Sequence, residues 1–325
     1  MATTPARPGI DDDQLRLMSK VARMYHERGL RQAQIAADLH ISQSRISRLL
    51  RQAVEVGIVR TTVTLPSGVH TDLEEALARR YGLADVVVVD ADGASGDVIP
   101  ALGAAAAAYL SETLATGDVV GISSWSASLL ATTERMRPKN GATVEVVAQL
   151  VGGIGDPRVQ MSANRLLDRF STVTGARPVF MPTPGLVGDA AARRALLADA
   201  SVAPALEAWD RLSVALVGIG SLAPSPLLRR SGNAVDAAQQ DELRTLGAVG
   251  DVCLRFFDER GRLVASELDE HVLGVTPDQL RRVPRRIGVA GGEEKVGAVH
   301  AALVGDWVNI LVTDLETARR LEAGP

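Results

Sequence analysis

The chain has 325 residues, of which 46% are hydrophobic, and a formal net charge of −4. This length allows two domains, each with a buried core. A single cysteine, Cys253, excludes an internal disulfide and any metal site built from several cysteines. The sequence contains no apolar stretch of membrane-spanning length and no signal pattern at its start, so we expect a cytoplasmic protein without a membrane partner.

The acidic net charge conceals a basic segment near the amino terminus. Residues 14–60 hold nine basic and three acidic side chains, a local charge of +6, whereas residues 61–325 carry −8. A positive module on an acidic body indicates that one end of the chain meets a polyanion and that the other has a different role.

Three short helices are predicted in the basic segment. The first covers residues 14–29 and ends at Gly29. Its apolar face consists of Leu15, Met18, Ala22 and Tyr25. The second covers "RQAQIAADL" (31–39), and a short turn leads to the third. Ser42 is a suitable N-cap for the third helix, because its hydroxyl can accept a hydrogen bond from the first turn.

The third helix, in "ISQSRISRLLRQA" (41–53), has two opposed faces. The apolar face comprises Ile46, Leu49, Leu50 and Ala53. The polar face comprises Ser44, Ser47, Arg48 and Arg51, with Gln43 and Arg45 beside it. Three helices with a tight turn before the third predict a helix-turn-helix, whose third helix lies in the major groove of DNA.

The residue types of this polar face suit a DNA duplex. Arginine can bind guanine, glutamine can bind adenine, and serine can bind a base or a phosphate. Gln32 and Ser42, at the starts of the second and third helices, are predicted backbone-phosphate contacts. The alternative is an ordinary amphipathic helix with a solvated polar face. The cap, the local charge and the following segment favour operator DNA as the partner.

A change of period after Gly57 marks the end of this module. "IVRTTVTL" (58–65) alternates and is rich in β-branched residues, which predicts the strands of a wing. "PSGVH" (66–70) is typical of a linker. We therefore predict a winged helix-turn-helix DNA-binding domain over residues 1–65 and a second domain, for an effector and for oligomerisation, over residues 66–325.

The second domain alternates strand-like and helical segments. Strands are predicted in residues 84–90, 118–123, 144–153, 178–182, 214–220, 286–292 and 307–314. Ala- and Leu-rich helical segments lie between most of them, as in residues 98–116 and 189–208. This alternation predicts a Rossmann-like, mainly parallel α/β domain with helices on both faces of the sheet.

Glycine-rich segments follow several of these strands: "GGIGDP" (152–157), "GIGSLAP" (218–224), "GAVGD" (247–251) and "AGGEEK" (290–295). Open α/β sheets bind ligands at the carboxyl ends of their strands, where glycine lets backbone amides approach an anion. A sugar phosphate suits such a crevice. Lys295 lies three residues after Gly292, so one helical turn can direct its ammonium at the same anion; the alternative is a solvated helix residue.

Five further polar residues near strand ends are candidate ligand contacts: Ser126, Ser128, Asn164, Asp251 and Asp258, the last of which resembles a hairpin turn residue in "FFDERGR". Each has a structural alternative. Ser128 can cap the helix that follows its strand, and Asp251 can bond a neighbouring turn instead of a sugar hydroxyl.

The sequence offers little support for dinucleotide binding, metal binding or catalysis. Gly218, Gly220 and Ala223 fit a dinucleotide fingerprint, but Pro224 and Pro226 follow where that fingerprint requires an opening helix. The five histidines share no metal-ligand spacing, and no catalytic arrangement is evident. We expect no metal, no cofactor and no catalytic residue.

Over nearly its whole length the chain resembles the SorC/DeoR-type family of sugar-binding transcriptional regulators. The matching segments are "QAQIAADLHISQSRISRLLRQAVEVGIVR", "QLVGGIG", "VGIGSL", "GAVGDVCLRFFDERGR", "AGGEEKVGAVHAAL" and "NILVTDLETAR". The resemblance implies a carboxyl-terminal domain similar to sugar-phosphate isomerases. It also implies a homo-oligomer, commonly a tetramer, whose operator affinity changes when a phosphorylated sugar or polyol binds.

Carried over by position, the resemblance implies that Gly291, Gly292 and Lys295 hold phosphate. It places Ser126 and Ser128 in a loop where the family often has Gly and Thr, and it adds Gly152 and Gly153. Val151 stands where some relatives carry Arg, which argues against a second strong phosphate site. Arg31 stands where Ser or Thr often caps the second helix.

Two rival functions stay open at this level. The second domain can be an isomerase-like or deaminase-like enzyme with an attached DNA-binding domain, which fold likeness does not exclude. The chain can also be an architectural DNA-binding protein with a purely structural oligomerisation domain, although its glycine-rich strand ends speak against this.

Overall fold

The computed structural model describes residues 11–60, 68–91, 97–138 and 144–324. The chain divides into two compact units, Met1–Leu65 and Pro66–Pro325.

In residues 11–60 the structure describes three helices: α1 (Asp12–His26), α2 (Gln32–Asp38) and α3 (Gln43–Glu55). They enclose a small apolar core whose buried members include Met18, Val21, Ile35, Ile46 and Leu49. The predicted apolar face of α3 is confirmed, since all four of its residues are buried.

Two details of α1 differ from the prediction. The helix begins at Asp12 and not at residue 14, because the Asp11 side chain accepts a hydrogen bond from Gln14 N–H and caps it. Tyr25 is 38% exposed, and the buried face includes Val21 and Met24 instead. The predicted wing lies mostly outside the described residues, and residues 58–60 form no strand.

The second unit contains ten strands and eleven α-helices in its described residues. The strands are β1 (Asp85–Val89), β2 (Val119–Ile122), β3 (Val146–Gln149), β4 (Arg177–Val179), β5 (Val214–Val217), β6 (Gly220–Ser221), β7 (Ala248–Val252), β8 (Arg255–Asp258), β9 (Arg285–Val289) and β10 (Ile310–Asp314). The helices are α4 (Thr71–Tyr81), α5 (Ile99–Thr113), α6 (Ala127–Arg135), α7 (Pro157–Thr174), α8 (Ala190–Leu197), α9 (Ala203–Trp209), α10 (Pro226–Ser231), α11 (Ala237–Thr245), α12 (Pro277–Arg282), α13 (Val296–Val304) and α14 (Leu315–Ala323).

Seven of the described strands form one parallel sheet in the order β1-β10-β9-β5-β2-β3-β4. Side chains alternate between its faces, so that Val86 and Val88 belong to one apolar core while Val87 and Val89 pack against the other. Helices α5, α6 and α7 cover one face; α4, α9, α12, α13 and α14 cover the other. The predicted mainly parallel sheet with helices on both faces is confirmed.

The segment between β5 and β9 departs from the prediction. Strands β6, β7 and β8 form a separate antiparallel sheet in the described residues, which packs on α13. The run 214–220, predicted as one strand, is divided between the two sheets, because Gly218 N–H donates to Ser123 Oγ and leaves the parallel ladder. The helical segment 189–208 forms two helices, since Pro204 lacks the N–H that a continuing helix needs.

Candidate functional site

The polar face of α3 is held outward by the buried face described above. Ser42 caps the helix by accepting a hydrogen bond from Arg45 N–H at 3.3 Å, and its hydroxyl lies 3.0 Å from that of Ser44. Six predicted contacts are exposed: Ser42, Gln43, Ser44, Arg45, Arg48 and Arg51. Ser47 and Gln32, the first residue of α2, are half-buried. A rigid helix with serines and arginines along one exposed face can contact base edges and phosphates.

In the second unit, the parallel sheet reverses its direction of growth between β2 and β5. From β2 the chain builds towards β3 and β4, whereas from β5 it builds towards β9 and β10. In open α/β sheets, ligands bind at this switch point, outside the carboxyl ends of the strands. The loops after β2, β5 and β9 therefore frame the candidate ligand site.

Ser126 and Ser128 lie at this switch point. Ser126 caps α6, and its hydroxyl lies 3.0 Å from Ser128 Oγ. Ser128 Oγ in turn donates to the carbonyl of Val289, the last residue of β9, at 3.0 Å. The serine pair therefore joins the loop after β2 to the end of β9, across the end of β5.

Gly218, in one of the glycine-rich segments but not among the predicted ligand contacts, completes the switch point. A Cβ on Gly218 would lie 2.6 Å from Ser126 Oγ, so only glycine allows this approach. The signal for it was a pair of glycines, Gly218 and Gly220, in the last three residues of the predicted strand 214–220.

The 290–295 loop follows β9. Glu293–Lys295 form a short 3-10 turn, and α13 begins directly after it. Lys295 is half-buried, and burial lowers the pKa of its ammonium, a shift that the nearby charges of Asp251 and Glu294 oppose. The Lys295 backbone N–H donates to the Gly292 carbonyl at 2.9 Å, but among the described residues its ammonium has no hydrogen-bond partner and no ion pair within 4 Å. A half-buried cation of this kind favours an anionic ligand.

Gly291 and Gly292 are held by Asp314, which is not among the predicted site residues. Gly292 N–H donates to Asp314 Oδ2 at 2.8 Å and to Thr317 Oγ1 at 3.0 Å. A Cβ on Gly291 would lie 2.2 Å from Asp314 Oδ2. Since Asp314 is 22 residues away from Gly292 in the chain, no local pattern indicates this contact.

Asp251 lies near the end of β7, close enough to Lys295 for the two charges to interact. Its Oδ2 accepts the N–H of Leu254 at 3.0 Å across the β7–β8 turn, so the turn-bonding alternative is present in the structure. Cys253 and Leu254, the two turn residues, both have positive φ values, of 54° and 63°. Burial raises the pKa of Asp251 to about 6, while the bond from Leu254 and the charge of Lys295 act in the opposite direction.

Gly152 and Gly153 follow β3, away from the Lys295 side of the switch point. Their N–H groups donate to the carbonyls of Leu273 and Met181, at 2.8 and 3.2 Å. The Gly152 carbonyl accepts from Trp125 Nε1 at 3.1 Å, which ties this loop to the one after β2. Both amides are thus already used within the fold.

Asn164 lies half-buried on α7, next to Ala163, which packs with Trp125 and Val151. The structure brings Ser126 and Ser128 to the end of β9, and Asp251 towards Lys295. In the described part of the chain no hydrogen bond joins Asn164 to any of these residues. No group of three or more His, Cys, Asp or Glu residues able to hold a metal occurs among the described residues. No helix in that same part of the chain is long and apolar enough to cross a membrane.

An open parallel sheet with glycine loops and polar side chains at its switch point defines a small-molecule-binding α/β domain. Residues 67–321 match the protein family described as "Putative sugar-binding domain". The chain belongs to the SorC/DeoR-type family of sugar-binding transcriptional regulators, and the resemblance noted from the sequence is confirmed.

Named relatives match over most of their length. The chain is 34% identical to the deoxyribonucleoside regulator of Bacillus subtilis, covering 96% of this chain and 99% of that protein. It is 31% identical to the sorbitol operon regulator of Klebsiella pneumoniae, with the same coverage. The crystal structure of the full-length sorbitol operon regulator SorC from Klebsiella pneumoniae aligns with a TM-score of 0.71 at 30% identity, covering 96% of this chain and all of that one.

Proposed function

We propose that this protein is a DNA-binding transcriptional regulator of carbohydrate metabolism whose operator affinity is controlled by a phosphorylated sugar or polyol. Residues 1–65 act as a winged helix-turn-helix domain, and residues 66–325 bind the effector and form the oligomer. The named relatives are regulators, and one of them is named for a sorbitol operon. The proposal accordingly assigns no enzymatic activity.

In the proposed complex, α3 lies in the major groove. Arg48 and Arg51 contact guanine edges or phosphates, while Gln43, Ser44, Arg45 and Ser47 bind nearby base or phosphate atoms. The amino ends of α2 and α3, at Gln32 and Ser42, meet the phosphate backbone. A homo-oligomer, most simply a tetramer built from two-fold dimers, faces a pseudo-palindromic operator whose half-sites are separated by about 34 Å or multiples of it.

The observation that carries the effector proposal is the half-buried, unpaired ammonium of Lys295. It lies beside the glycine loop at the carboxyl end of β9. A phosphate group fits it, because the first N–H groups of the 3-10 turn also lack an intrahelical acceptor. Asp251 and the pair of Ser126 and Ser128 supply acceptors and donors for the hydroxyls of a sugar or polyol. Gly291 and Gly292 shape the loop around the phosphate.

The remaining predicted contacts lie at the side of the crevice. Gly152 and Gly153 allow the loop after β3 to approach the chain after β4, since a Cβ on Gly152 would lie 2.1 Å from the Pro184 carbonyl oxygen. Asn164 contributes its amide from α7 to the open end of the ligand.

A thermal-shift screen tests this proposal. The purified protein is heated with phosphorylated sugars and polyols and, separately, with their unphosphorylated forms. We expect one phosphorylated compound to raise the melting temperature and Lys295→Ala to abolish that rise. Lys20→Ala, a lysine removal in the other unit, serves as the matched control and should keep the full response.

Two results contradict the effector proposal. A rise with unphosphorylated sugars alone would show that the ligand is not a phosphate ester. An equal rise in wild-type protein and Lys295→Ala would show that Lys295 does not hold the phosphate.

A further inference from the structure

The 290–295 loop is joined to the start of α14 by a buried carboxylate. Asp314 is 3% exposed; its Oδ2 accepts the Gly292 N–H at 2.8 Å and its Oδ1 accepts the Thr317 N–H at 3.0 Å. Among the described residues it forms no ion pair. The candidate phosphate loop and the N-cap of α14 are therefore one hydrogen-bonded group.

An anion bound at this loop competes with Asp314. A phosphate oxygen that accepts the Gly292 N–H takes the place of the Asp314 oxygen and puts two negative charges side by side in a buried setting. Asp314, and with it the first turn of α14, has to move away. Helix α14 thus favours one position when the loop is free and another when the loop holds an anion. A ligand can drive such a change because it binds one of the two conformations more tightly than the other.

The other end of α14 meets α4 at Tyr81. The Tyr81 hydroxyl donates to the carbonyl of Leu321 on α14 at 3.0 Å, and it lies 3.0 Å from Nδ1 of His300 on α13. Helix α13 starts directly after Lys295, and Asp314 is the N-cap of α14. Tyr81 therefore joins α4 to α13, which follows the effector loop, and to α14, whose N-cap accepts a hydrogen bond from that loop.

Helix α4 is the first helix after the boundary between the two units. It starts at Thr71, and the preceding residue, His70, pairs with Asp90 at the end of β1 with a distance of 2.9 Å.

We propose that Tyr81 couples the effector loop to α4, the first described helix after the boundary between the two units: an anion at Gly292 displaces Asp314 and α14, and Tyr81 transfers that displacement to α4. This inference rests on the proposed function, because it takes the 290–295 loop as the effector site. Tyr81 is a coupling residue and makes no contact with the ligand.

Hydrogen exchange measured by mass spectrometry tests the coupling in the full-length protein, with inorganic phosphate as the probe. Peptides covering residues 290–295 and 71–81 are followed with and without phosphate. In wild-type protein we expect slower exchange in the loop and exchange about fivefold faster in α4, the lower end of usual coupling strengths. In Tyr81→Phe the loop should respond as before, and α4 should change by less than about twofold.

Tyr109→Phe is the matched control, because it removes the hydroxyl of a half-buried tyrosine on α5 that faces Asp85. It should respond as wild type does. A loop response in Tyr81→Phe also shows that the variant is folded. If wild-type loop exchange responds while α4 does not, or if Tyr81→Phe retains the full α4 response, the coupling is refuted and the effector site stands. If phosphate leaves the loop itself unchanged, the anion site proposed above fails, and the coupling fails with it.

Discussion

Gly218 and Ser126 approach so closely at the switch point of the parallel sheet that a Cβ on Gly218 would lie 2.6 Å from Ser126 Oγ. The serine cannot simply turn away, because its hydroxyl accepts the Leu129 N–H and pairs with Ser128 Oγ. The carboxyl ends of β2 and β5 are thereby held together at the place where the effector is proposed to bind.

Gly218→Ala should destabilise the second unit by about 1–3 kcal/mol, because the added methyl group overpacks the junction. Denaturation in urea followed by tryptophan fluorescence measures this, since Trp125, Trp209 and Trp307 all lie in that unit. Gly297→Ala is the control: its Cβ would meet nothing within 4 Å on α13, and it should stabilise by about 0.5–1 kcal/mol. Equal stability of the two variants would contradict the close approach.

Asp251 should make stability depend on pH in an unusual direction. Its pKa is raised from 3.8 to about 6, so the folded state binds the proton more tightly than the unfolded chain does. Stability contributed by this group is therefore full below about pH 4, falls as the pH rises to about 6, and is then lost, up to about 3 kcal/mol in all.

Asp251→Asn should remove this loss, because an amide oxygen can still accept the Leu254 N–H but carries no charge. Unfolding free energies of wild type and variant, measured from pH 4 to pH 7, should diverge with rising pH in favour of the variant. A constant difference between the two proteins over that range would show that Asp251 titrates normally.

Substitutions of Ser42 and Arg48 should have different effects, the first on the stability of α3 and the second on DNA binding. Ser42→Ala removes the cap of α3 and should raise amide exchange in residues 43–55 about fivefold, equivalent to about 1 kcal/mol. Arg48→Ala should leave that exchange unchanged and weaken binding to an operator selected from random duplexes by about 1–3 kcal/mol. Fluorescence anisotropy measures the binding. An unaltered affinity for the Arg48 variant would remove this residue from the reading face.

Arg255 and Asp269 form an ion pair at 3.1 Å in which the arginine side chain is only 5% exposed. Burial lowers the pKa of the Arg255 guanidinium and raises the pKa of Asp269, so each charge depends on the other. Arg255→Met should cost about 3–5 kcal/mol of unfolding free energy, because it leaves the Asp269 carboxylate unpaired.

The control for this prediction is Arg262→Ala on the same hairpin. Arg262 pairs with Asp258 at 2.7 Å, but its side chain is 70% exposed, so its removal should cost less than about 1 kcal/mol. Urea denaturation followed by tryptophan fluorescence compares the two variants. Similar losses for both would show that burial does not distinguish these pairs.

The helices of the first unit and the parallel strands of the second could be predicted because their signals are local. Apolar residues at helical spacing predicted the buried face of α3, and Ser42 predicted its N-cap. Runs of β-branched residues located the seven strands of the parallel sheet, with ends displaced by a few residues. Tyr25 was misplaced because packing against two other helices, and not spacing alone, selected Val21 and Met24.

The antiparallel sheet could not be predicted in the same way. Strand β6 has two residues, and β7 contains Gly250 within a segment that is typical of a glycine-rich loop. Both become strands because they pair with each other, and β7 packs on α13. Pairing of this kind depends on partners far away in the chain, which periodicity does not reveal.

By itself, the sequence determined that this chain has a basic helical module followed by a parallel α/β domain, because hydrophobic period and charge are properties of neighbouring residues. Only the tertiary structure decided which polar groups meet. It brought Asp314 to Gly292, Asp251 towards Lys295, and Tyr81 to both α13 and α14. These residues lie far apart in the chain, and the crossovers of the sheet, not any local pattern, set the distances between them.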